Sequence, residues 1–106
     1  MLDMLVSVLL IAPPRDNVGG LTTDLYRLAQ CESSHRTTVV SRTGKYRGLY
    51  QFDLPTWKSV GGTGDPARAS RAEQTKRAKI LYEKRGWNPW PQCKVKLNLR
   101  DEWRHK

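Results

Sequence analysis

Between Ser70 and Gly86 the chain carries both the start and the stop signal of a helix, and the other elements have to be laid out around it. Ser70-Arg71-Ala72-Glu73 has the spacing of a capping box, in which a serine hydroxyl and a glutamate three residues on satisfy free donors of a first turn. Good helix formers continue to Arg85, and Gly86 supplies the stop. The segment Trp87-Asn88-Pro89-Trp90-Pro91-Gln92-Cys93 cannot prolong the helix, because proline lacks the donor that a helix interior needs. The pattern predicts a helix over 71–85 and then a stiff loop pinned back on the body. With 106 residues, 38% of them hydrophobic, the chain can build one modest core but not two, so a single site is expected.

Thr22 or Thr23 is placed to cap an earlier helix in which Leu25, Leu28, Ala29 and Glu32 recur at helical spacing. Glu32 then emerges near the C-terminal end, at the margin of the core-facing stripe. The β-branched run Thr37-Thr38-Val39-Val40, the turn-like Arg42-Thr43-Gly44-Lys45 and the stretch Tyr46 to Phe52 read as a small hairpin. Asp53 can cap a short helix holding Pro55, Thr56 and Trp57, which Gly61-Gly62-Thr63-Gly64 ends. Asp16-Asn17-Val18-Gly19-Gly20 reads as a linker. The order helix, hairpin, helix, helix predicts a small α+β domain with a cleft between hairpin and helices. Its expected bounds are 21–94, after a lead-in over 1–20 and before a basic, solvated tail over 95–106.

Lys and Arg number 19 against 10 Asp and Glu, a formal charge of +9 spread from Arg15 to Lys106. Such a surface attracts polyanions, whether nucleic acid or a bacterial wall bearing muramyl carboxylates and phosphates. The apolar run Met4 to Ala12, ending at Pro13-Pro14, has the outline of an export signal, but Asp3 stands where a cation belongs. It is also too short to span a bilayer. The run reads as a degraded or truncated signal, as an ordinary buried strand or helix, or as a disordered lead-in. Cys31 and Cys93 form no C-x-x-C motif; they are either a disulfide made in an oxidising compartment or two buried thiols. Glycines 61, 62 and 64 lack the Lys-Ser or Lys-Thr of a phosphate loop, and Ser34-His35 lacks the G-x-S-x-G context of an exposed nucleophile. A metal pair at Cys31 and His35 would have only Cys93 and His105 to complete it, so neither a metal nor an organic cofactor is expected.

Cys31-Glu32-Ser33 closes a helix, and Gly48-Leu49-Tyr50-Gln51-Phe52 follows after a hairpin-sized gap. With Leu28-Ala29-Gln30, Tyr46-Arg47, Pro55-Thr56-Trp57, Gly61-Gly62-Thr63-Gly64, Ala69-Ser70, Glu73-Gln74, Gly86-Trp87 and Trp90-Pro91-Gln92-Cys93, this order resembles the transglycosylase-like domain of the actinobacterial resuscitation-promoting factors, relatives of lysozyme. The resemblance covers roughly residues 21–94. It implies a lysozyme-like fold, a Cys31–Cys93 disulfide, a catalytic glutamate at Glu32, and as target the β-1,4 bond between N-acetylmuramic acid and N-acetylglucosamine. It also implies a secreted or wall-associated monomer whose partner is peptidoglycan rather than nucleic acid, with no membrane span. Gln51 and Thr56 fall where the family lines its sugar cleft. After Glu-Ser the family usually shows Gly-Gly, whereas Ser34 and His35 stand here, so a wall-binding module of weakened activity is the alternative reading.

The chemistry agrees with that placement. Breaking a glycosidic bond at neutral pH needs an acid still protonated there, and burying one face of a glutamate moves it toward that range. Ordinary glycoside hydrolysis uses a second carboxylate, for which Asp53 is the nearby candidate, but helix capping already explains Asp53. The family resemblance implies instead that Glu32 acts twice, first as acid and then as base toward the muramyl 6-hydroxyl. Tyr50, Trp57, Trp87 and Trp90 are candidates for stacking on sugar rings, although each is equally suited to a core.

Overall fold

The computed structural model describes residues 17–104. The Met4–Ala12 run, Pro13-Pro14 and His105 lie outside them. Four helices are seen: α1 (Asn17–Ser33), α2 (Leu54–Ser59), α3 (Arg71–Arg85) and α4 (Pro91–Lys96), with a 3-10 turn at Pro66–Arg68 before α3. No helix among the described residues is long and apolar enough to cross a membrane.

The helix expected over 71–85 is present with those bounds. The Ser70 hydroxyl accepts the Glu73 N–H at 3.1 Å, and Gly86 (φ 65°) takes the stop that a side chain resists. Glu73 does not complete the capping box, because its carboxylate is drawn forward to Arg77 at 2.7 Å. Asp53 caps α2 as its position predicts, accepting the Thr56 N–H at 2.8 Å. α1 starts at Asn17 and not at Thr22 or Thr23, so Asn17–Gly20 are helical and not a linker. Gly20 lies against the Trp103 ring, whose indole N–H donates to Asp24 at 2.9 Å. That contact corrects a second expectation. The segment after Cys93 is not simply solvated, since Leu99 is buried and Leu97 and Trp103 pack on the core.

The expected α+β architecture with its hairpin is contradicted: among the described residues the fold is all-helical, without a strand. Two isolated bridges, Val40 with Arg47 and Arg47 with Phe52, are all the pairing that forms. The backbone turns back between them, at Gly48 (φ 86°) and again at Gln51 (φ 54°), so Gly48 to Phe52 cannot run as an extended strand. Leu49, Tyr50 and Phe52 are all buried, a pattern that strand alternation forbids. The polar groups that a partner strand would satisfy go to Gln74, a fully buried side chain of α3. Its carbonyl accepts the Leu49 N–H at 2.6 Å, and its amide donates to Thr37 at 3.1 Å and Ala69 at 2.9 Å. Arg47 anchors the same segment from outside, gripping Asp65 through two hydrogen bonds of 2.7 and 2.9 Å.

The core gathers Leu25, Leu28 and Ala29 of α1 with Leu49, Phe52, Trp57, Leu81, Tyr82, Trp87 and Trp90. A disulfide joins Cys31 near the end of α1 to Cys93 in α4, 62 residues apart. Closing a loop of that length lowers the entropy of the unfolded chain, a stabilisation of about 4 kcal/mol on the chain-entropy account.

Candidate active site

Glu32 stands in the last turn of α1, one residue from the disulfide that fastens this helix end to α4. Across from it the Trp90 indole N–H donates to the Tyr50 carbonyl at 2.9 Å, so the tryptophan-proline loop is held against the Gly48–Phe52 turn. The space left between these segments is a groove of two adjoining parts. One, of about 290 Å³, is lined by Glu32, Tyr46, Gln51, Trp90 and Gln92; the other, of about 310 Å³, runs on past Asp53, Thr56 and Asn88. Tyr46, Gln51, Pro89, Trp90 and Pro91 border both. The mixed cleft between hairpin and helices is thus replaced by a groove between a turn-rich loop, a helix end and a proline-stiffened loop.

The Glu32 carboxyl is pushed up from its ordinary value of 4.5 to about 7, because burial penalises its charged form; Lys96 on α4 pulls the other way. Among the described residues no hydrogen bond holds this carboxylate. Near neutral pH it is therefore divided between acid and base. Asp53 differs in kind. Partial burial raises its pKa, but the hydrogen bonds from Thr56 and the charges of Lys45 and Arg85 outweigh that, and the carboxyl is held below its ordinary 3.8. Near neutral pH one carboxyl is shared between its protonated and charged forms, while the other is an ionised helix cap.

The remaining predicted site residues separate into two groups. Gln51, Thr56 and Trp90 share the groove with Glu32, and Gln51 is fixed there by donating to the Gly48 carbonyl at 2.9 Å. Trp57 and Trp87 are fully buried core residues that do not line the groove. Tyr50 is buried too, its hydroxyl 3.0 Å from that of Thr75, and it borders a different cavity. Tyr46, an exposed aromatic, lines both parts of the groove and was not singled out from the sequence. The signal available for it was its place two residues before Gly48, where a turn had to begin.

Ser34 (φ 54°) and His35 (φ 60°) both occupy the left-handed region, which glycine enters at little cost. The turn behind Glu32 therefore has the shape that a Gly-Gly pair would favour, although neither residue is glycine. His35 gains a partial offset by packing its ring on Tyr26, centroid to centroid 4.1 Å.

Comparison with known proteins meets this geometry. The chain is 49% identical over 73 residues to the resuscitation-promoting factor Rpf of Micrococcus luteus, covering 69% of this chain and 32% of that protein. It is 42% identical over 66 residues to RpfC of Mycobacterium tuberculosis, covering 62% of this chain and 46% of that protein. The chain thus spans less than half the length of these relatives. The family described as the transglycosylase-like domain matches residues 19–93, from the first described turns of α1 to the disulfide cysteine of α4. The chain therefore belongs to the transglycosylase-like domain family of the resuscitation-promoting factors.

Proposed function

We propose that this chain cleaves peptidoglycan glycan strands at the β-1,4 bond between N-acetylmuramic acid and N-acetylglucosamine, with Glu32 as its single catalytic carboxyl. The observation that carries this reading is the groove-lining Glu32 carboxyl with its pKa raised to about 7. Protonated Glu32 gives its proton to the glycosidic oxygen as the bond to the muramyl anomeric carbon breaks. The resulting carboxylate then takes the proton of the muramyl 6-hydroxyl, whose oxygen closes on that carbon as an anhydro ring. The acid is thereby regenerated. Water in place of the 6-hydroxyl would give hydrolysis through the same two proton transfers.

The state of Asp53 favours a one-carboxyl scheme, because its lone pairs cap α2 and its pKa is lowered, unlike that of a general acid. In this reading Gln51 and Thr56 orient sugar hydroxyls, while Tyr46 and Trp90 offer aromatic surface to the rings. Tyr50 holds the Trp90 indole through its carbonyl, and Trp57 and Trp87 belong to the core. The shape kept at Ser34 and His35 supports the enzyme over a wall-binding module of weakened activity. A secreted or wall-associated monomer follows as part of the proposal. Release of soluble muropeptides from purified wall, compared between the native chain and Glu32→Gln, tests it.

A further inference from the structure

A second cavity, of about 190 Å³, lies between α1 and α3, apart from the Glu32 groove. It shares no lining residue with either part of that groove. Leu25 and Ala29 of α1 and Leu49 of the turn give it apolar walls. Arg71 and Lys79 stand along α3 at its edge, and no acidic residue among those described lines it. Arg71 is oriented by donating to the His35 carbonyl at 3.1 Å. His35 is a lining residue as well, its ring packed on that of Tyr26. The volume is below the roughly 300–1,000 Å³ of sites for drug-sized molecules, so the occupant is of amino-acid or dipeptide size.

We propose that this cavity binds the free carboxylate end of a short peptide with small apolar side chains. The carboxylate faces Arg71 and Lys79, the only charged side chains among the described residues that border the cavity. The methyl-sized side chains meet Leu25, Ala29 and Leu49. Tyr26, largely exposed and stacked on His35, forms the outer wall. This assignment stands on the cavity itself and does not depend on Glu32 cleaving glycan.

Nuclear magnetic resonance titration of the intact oxidised chain with N-acetyl-alanyl-alanine tests it, with the C-terminal amide of the same dipeptide and sodium acetate as parallel titrants. The proposal expects saturable shifts at Tyr26, His35 and Leu49, with Gln51 and Trp90 unmoved. Affinity should fall at least tenfold for the amide and for acetate. Lys79→Gln, which removes an exposed charge without touching the core, should weaken the dipeptide severalfold, and Arg71→Gln should weaken it more. Glu32→Gln should bind it as the native chain does, which keeps this test separate from that of the glycan reading. Absence of saturable shifts, equal binding of the amide, or shifts confined to the Glu32 groove would overturn the proposal. Acetate saturating at the same concentration as the dipeptide would overturn the peptide assignment.

Discussion

Gln74 reaches from α3 to accept the Leu49 N–H at 2.6 Å, a bond between residues 25 apart in sequence that stands where a strand ladder would otherwise be. The same amide group donates to the carbonyls of Thr37 and Ala69, so one buried side chain sets the course of two loop segments. Gln74→Leu keeps the volume but leaves those three backbone groups without their partner. It should cost about 2–4 kcal/mol of unfolding free energy, since each unsatisfied buried group carries about 1–3 kcal/mol and part of the loss is recovered by relaxation toward water. Urea unfolding of the oxidised protein gives the number; a loss below the error of the fit would remove Gln74 from this role.

The protonation of Glu32 sets a pH dependence. If the protonated carboxyl is the acid, cleavage should fall as pH rises through about 7, where that proton is lost. Lys96 favours the charged form, so Lys96→Gln should move this alkaline limb to higher pH. Initial rates of wall solubilisation between pH 5 and 9 check both points, and an unmoved limb would detach Lys96 from the site.

Stability should move in the same direction. The Glu32 pKa is raised on folding from 4.5 to about 7, so the native state holds the proton more tightly than the unfolded chain does. The favourable contribution is complete below pH 4.5 and is lost as pH rises through 7. Glu32→Gln does not titrate and escapes that loss. Its stability relative to the native chain should be nearly unchanged at pH 4.5 and higher by about 1 kcal/mol at pH 8, a figure discounted for the screening of a partly exposed group. Thermal unfolding of both proteins at the two pH values decides; a gap that shrinks with rising pH would mean the burial of Glu32 is not what perturbs it.

Behind Glu32, Ser34→Gly should stabilise the fold by about 0.5–1 kcal/mol, because glycine adopts φ 54° without the Cβ clash. His35→Gly should gain less than that, since it also gives up the Tyr26 ring contact. Denaturant midpoints of the two variants measure the difference, and a larger gain at His35 would show that the ring contact contributes nothing.

What could be read from the sequence follows from where each signal lies. The helix α3 carries its own cap and stop within its span, and α2 carries Asp53 at its head, so both were legible locally. The Thr37-to-Phe52 segment was not, because the β-branched run promised a ladder whose hydrogen bonds are taken by Gln74 from a distant helix. The start of α1 was obscured by Gly19 and Gly20, where Gly20 serves as a close-packing position for Trp103 and not as a breaker. Among the aromatic candidates, composition cannot separate Trp90, which borders the groove, from Trp57, whose indole N–H turns inward to the Thr63 carbonyl at 3.1 Å. Glu32 was singled out by the resemblance that Cys31-Glu32-Ser33 and Gly48 to Phe52 carry, and the helical spacing of Leu25, Leu28 and Ala29 placed it near the end of α1, where it stands.

Mass spectrometry of the soluble products from purified peptidoglycan, digested at pH 6 by the native chain, by Asp53→Asn and by Glu32→Gln, tests the central claim most directly. The account predicts muropeptides from the native chain, most of that yield from Asp53→Asn because asparagine still caps a helix, and a loss of at least 100-fold in Glu32→Gln. Release by Glu32→Gln at near the native rate, or a loss of activity confined to Asp53→Asn, would contradict it.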